Sequence, residues 1–181
     1  MRLPDLFRRL AGRDGVPDGF AGTLDPDERV LGVAALHGSD RHLVATSVGL
    51  WLPTDDGARR VGWHLVSKAV WKSGTFVLTE AVEAEEVDGA VLLTDLAPVR
   101  WRIAEPGRVP EVVHARVEGS IRSRHHRDLP GGGAWFVQRK IAGRDGMVLQ
   151  VRPDPGTDLD AVRAVAGSVA RTLAGPTRPA G

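Results

Sequence analysis

The chain reads as a mainly β protein that ends in one α-helix, and three observations predict this. Short runs rich in Val, Leu and Thr, each closed by a polar or glycine-containing turn, recur from Glu28 to Arg152. One later stretch, from Leu159 to Leu173, instead repeats its apolar residues every three to four positions. A composition of 42% apolar and 26% charged over 181 residues is that of a globular chain able to bury a core.

Each element follows from local pattern. Leu3, Leu6, Phe7 and Leu10 recur at helical spacing with Arg8 and Arg9 between them, and Pro4 suits a first helical turn. Residues 11–27 are rich in Gly and Pro, so residues 1–23 read as an amphipathic segment and a linker. Residues 29–36 and 42–52 read as strands around a turn at 38–40, and 53–57 as a loop. Val61, Trp63 and Leu65 then alternate into a run through Trp71, and residues 76–81 return after a turn at 72–74. These four strands predict an antiparallel meander.

Residues 83–88 carry four acids and no base, and read as a loop. Val113, Val117 and Ile121 fall four apart after Pro110, predicting a short helix. Residues 121–129, 134–142 and 147–152 read as three further strands, with turns at 130–133 and 143–146. Thr157 or Asp158 is suited to cap a helix running to Ala174. Its expected apolar stripe is Leu159, Val162, Val165 or Ala166, Val169 and Leu173. Residues 175–181 read as a tail.

Glu28-Arg29-Val30-Leu31 followed by Leu50-Trp51-Leu52, and Trp63-His64-Leu65-Val66 with Ala69-Val70-Trp71, resemble the opening hairpin and third strand of bacterial PH-like and GRAM-like domains. The chain is similar to actinobacterial PH-like proteins across residues 24–174. That resemblance implies the pleckstrin-homology superfold: a half-open barrel of two antiparallel sheets, four plus three strands, capped by one helix. Residues 83–119 would be an extra segment between the sheets. Two features depart from the family. No tryptophan follows Trp135, whereas many eukaryotic members carry one in the final helix. The stretch Leu36-His37-Gly38-Ser39-Asp40-Arg41 lacks the Lys and Arg run of inositide-binding members, so that activity is not implied.

Chemistry-bearing patterns are few. The absence of Cys excludes disulfides, thiolate nucleophiles and iron–sulfur clusters. His125 and His126 are adjacent, and neighbours in a strand point to opposite faces, so they do not share one ion. No G-x-S-x-G occurs, and Gly131-Gly132-Gly133 lacks the Lys-Ser/Thr of a phosphate loop. No catalytic residue, metal site or cofactor is therefore expected. No membrane-spanning run or secretory signal is visible, which predicts a cytoplasmic protein, peripheral to the inner membrane face if it meets lipid at all.

The candidate anion- or partner-binding residues are Arg116, Arg122, Arg124, His126, Arg127 and Lys140. Period two puts Arg122, Arg124 and His126 on one strand face, which Gln138 and Lys140 extend if the next strand registers accordingly. Such a patch suits an acidic protein surface or phosphates, an ordinary solvated sheet face, or the chain's own acids at 83–88. Trp63, Trp71 and Trp101 read as core, while Trp51 and Trp135 lie near strand ends. The segment with Leu3, Leu6, Phe7, Arg8, Arg9 and Leu10 suits docking on the domain or lying in an anionic membrane interface. The expected function is a non-enzymatic PH-like module docking onto a protein or membrane surface. The alternatives are a nucleic-acid binder using a basic face over 116–144, and an enzyme with a scattered site. The net charge of +1 argues against nucleic acid.

Overall fold

The computed structural model describes residues 15–175. The candidate residues Leu3, Leu6, Phe7, Arg8, Arg9 and Leu10 lie outside them. In chain order the elements are β1 (Val30–Leu36), β2 (His42–Thr46), β3 (Gly49–Thr54), β4 (Gly57–Gly62), β5 (Val66–Lys72), β6 (Thr75–Val87), β7 (Ala90–Asp95), β8 (Val99–Glu105), α1 (Val109–Gly119), β9 (Ile121–Leu129), β10 (Gly132–Lys140), β11 (Met147–Pro153) and α2 (Leu159–Ala174). The protein is thus mainly β with a C-terminal helix. The chain divides into two compact units, one running to Glu80 and resuming over Ala97–Glu118, the other formed by Ala81–Leu96 and the residues from Gly119 onward.

In the first unit β1 to β4 form an antiparallel meander, β1 also pairs with β8, β8 with the first half of β6, and β6 with β5. The alternation of β6 explains its inward face: Phe76 and Leu78 are almost fully buried, whereas Thr75 and Val77 are half-buried. Leu43, Leu50, Val61, Trp63 and Ile103 join them, and α1 closes the core with Val109, Val112 and Val113. Phe76 lies between Trp71 and Trp101, with 6.2 Å between ring centroids on each side.

The second unit contains the second half of β6, then β7, β11, β10 and β9, with β7 and β11 parallel and the other pairs antiparallel. Its core joins Ala90, Leu92, Ala134, Phe136 and Val151 to Val162, Ala166 and Ala170 of α2. Asp158 caps α2 by accepting hydrogen bonds from the amides of Asp160 and Ala161 at 2.9 and 3.2 Å.

Several expectations need correction. The eleven strands form one hydrogen-bonded series that does not close, not two sheets of four and three, because the 13-residue β6 pairs with different strands in its two halves. The run at 42–52 is two strands: Thr46 Oγ1 accepts the amides of Val48 and Gly49 and turns the chain. The run expected from Val61 to Trp71 is broken by a 3₁₀ turn at Trp63–Leu65. Residues 83–87 are strand rather than loop, and the turn is Asp88-Gly89, whose φ values of 50° and 89° suit a tight hairpin. Their carboxylates are matched from a distance: Arg144 meets Glu83 at 2.9 Å, Arg163 meets Glu85 at 2.8 Å, and Arg171 meets Asp88. On α2, Leu159 and Leu173 are about half exposed, and Gly167 lies in the buried stripe instead.

Candidate functional site

The first unit contains a cleft between β5 and α1. In β5, period two turns Lys68, Val70 and Lys72 to one face and the exposed Ala69 and half-buried Trp71 to the other, after a bulge between Val66 and Lys68. One edge of β5 pairs with β6, and among the described residues no strand pairs with the other. Helix α1 starts at Val109-Pro110, where a proline's missing N–H costs nothing, and carries Glu111 in its first turn and Arg116 in its last, each suited to the helix dipole. Val112 and Val113 face the core; His114 and Val117 border the strand side.

The resulting cleft has a volume of about 240 Å³ and is lined by Ala69, Trp71, Phe76, Val113, His114 and Val117, with Lys68 and Glu118 also on its wall. It is smaller than the ~300–1,000 Å³ usual for a small-molecule pocket. A floor of apolar side chains with charges around it suits one anchoring side chain of a larger ligand.

A second polar feature of this unit is structural. The Glu28 side chain is fully buried and is met by Thr46 Oγ1 at 2.5 Å, Trp51 Nε1 at 2.9 Å, the Asp25 amide at 3.1 Å and Arg60 at 2.5 Å. Burial pushes its pKa up, but the hydrogen bonds from Thr46, Trp51 and the Asp25 amide, with the Arg60 charge, outweigh this and hold it below the ordinary glutamate value. Phe20 meets the Trp51 ring edge-on at 5.4 Å, and the Arg60 guanidinium lies 5.6 Å from that ring. Trp51, at 8% exposure, is therefore core. Glu28 and Trp51 pin the glycine-rich segment before β1 onto β2–β4.

The basic candidates divide. Arg116 is on α1 of the first unit, whereas Arg122, Arg124, His126, Arg127 and Lys140 belong to the second. On β9, Arg124 opposes Val137 and His126 opposes Trp135, while Arg127 opposes Ala134 on the face covered by α2. Arg122 falls at a bulge, and Gln138 opposes Ser123, so the register does not extend the Arg124–His126 face through Gln138. His126 Nε2 lies 2.7 Å from Asp154 Oδ2, with its ring edge-on to Trp135 at 5.1 Å. The cleft itself joins elements some forty residues apart. Its only signals in sequence are the Val113–Val117 spacing and the β-rich run before Lys72.

Among the described residues no group of His, Asp and Glu is placed to hold a metal ion, and no helix is long and apolar enough to cross a membrane. Comparison of the chain with protein-family models, with curated proteins and with solved structures finds no match.

Proposed function

We propose that the chain is a non-enzymatic, cytoplasmic binding module that takes an extended peptide along the outer edge of β5 and seats one apolar side chain in the cleft beside α1. The observation that carries this reading is the coincidence of an edge strand and an apolar cleft directly beside it. Strand addition supplies affinity through main-chain hydrogen bonds, and a neighbouring pocket supplies selectivity for alternate side chains. Docking alone is needed, with no covalent step.

The first unit also supports a pleckstrin-homology-like reading, from elements other than those expected. In chain order it has four strands (β1–β4), three more (β5, the first half of β6, β8) and then one helix, α1. On this reading Ala81–Leu96 is an insertion between the sixth and seventh strands.

Selection of random peptides on the full chain tests the proposal, with Ala69→Arg as the comparison. Ala69 is exposed, so the substitution fills the cleft without disturbing the core. Selected peptides are expected to share a large apolar residue and to lose about tenfold or more in affinity for the variant, the loss of roughly 1.4 kcal/mol of anchoring. Peptides that bind wild type and Ala69→Arg equally would overturn it.

A further inference from the structure

We infer that the outward face of β5, β6 and β8 is a docking surface for a bilayer with anionic headgroups, sharing Lys68 alone with the lining of the peptide cleft. The register aligns Lys72 with Thr75 and Arg102 in one row, Val70 with Val77 and Arg100 in the next, and Lys68 with Thr79 beyond them. Lys68, Lys72, Arg100 and Arg102 are all exposed, and no residue in these rows carries a carboxylate.

Three arginines elsewhere in this unit are held in ion pairs. Arg59 is paired with Glu80, Arg60 with Asp25 and Glu28, and Arg108 with Glu111. None of the four cations on this face is in a salt bridge among the described residues. The chain holds only three lysines, and two of them are here. Strands ~4.8 Å apart and alternate residues ~6.8 Å apart make this a grid of like charges. Such a grid repels itself until an anionic partner neutralises it.

The rest of the face selects among anionic partners. Val70, 37% exposed, and Val77 lie between the cations, apolar surface that phosphates alone would leave unsatisfied and that the headgroup boundary accommodates. The face offers no aromatic ring for stacking on bases, because Trp71 and Trp101 turn inward against Phe76. A lipid surface fits both the cations and the valines.

Co-sedimentation of the full chain with phosphatidylglycerol–phosphatidylcholine vesicles, and with phosphatidylcholine alone, tests this. Wild type is expected on the mixed vesicles only, with binding that weakens as salt rises. Each cation near an anionic surface is worth about fivefold, so Arg100→Gln with Arg102→Gln should lower partitioning roughly 25-fold. Lys72→Gln alone should lower it about fivefold at unchanged thermal stability, separating a charge effect from unfolding. Unchanged partitioning of the Arg100/Arg102 variant, or no vesicle binding by wild type, would overturn the inference. So would binding to duplex DNA in place of vesicles. Because Lys72, Arg100 and Arg102 lie off the cleft, either result leaves the peptide reading to its own test.

Discussion

The indole Nε1 of Trp51 donates a 2.9 Å hydrogen bond to the Glu28 carboxylate, a buried charge that Thr46, the Asp25 amide and Arg60 also satisfy. A carboxylate stripped of water survives only when its lone pairs are filled and a positive charge stands near. Here both conditions hold, so the segment before β1 is tied to β2, β3 and β4 through a single side chain.

Replacing Glu28 by Ala strands Thr46, Trp51 and Arg60, and is expected to cost about 3 kcal/mol in urea unfolding. The pH dependence has a definite sign. The folded state holds Glu28 below its ordinary value of 4.5, so its stabilisation is fully present above that value and is lost as pH falls through the lower, folded one. Thermal melts should therefore show wild type losing more stability below about pH 4.5 than Glu28→Gln does. Parallel acid profiles would mean that Glu28 is not the linked group.

Helix α2 gives a graded test. Asp158→Ala removes the acceptor for two amides and is expected to cost about 1 kcal/mol. Val162→Ala removes two buried methyl groups from a fully buried site, for roughly 2 kcal/mol. Leu159→Ala and Leu173→Ala, at half-exposed positions, should each fall within about 0.5 kcal/mol of wild type. Denaturant titration of the four variants checks the order.

The helix was legible because cap and periodicity agree: Asp158 precedes an apolar repeat that ends at Ala174, before Gly175. The end of β9 was legible because the Pro130-Gly131 turn, with Gly131 at a φ of 81°, stops the strand after Leu129. The turn between β2 and β3 was hidden because a threonine side chain makes it, rather than a Gly, Asn or Pro pair. The second half of β6 was hidden because its acids look like a solvated loop until Arg144 and Arg163, 61 and 78 positions away, are brought against them. The cleft was hidden for the same reason, since no local pattern tells β5 that α1 lies beside it.

Amide hydrogen exchange on the full chain, with and without a selected peptide, tests the peptide-docking account most directly. Backbone amides exchange slowly when hydrogen-bonded and quickly at an open edge. Strand addition predicts that peptide slows exchange in Ala69–Lys72 of β5, with a smaller effect along α1 and none in β9 to β11. Slowing confined to β9–β11, or no change in β5 at saturating peptide, would contradict the account.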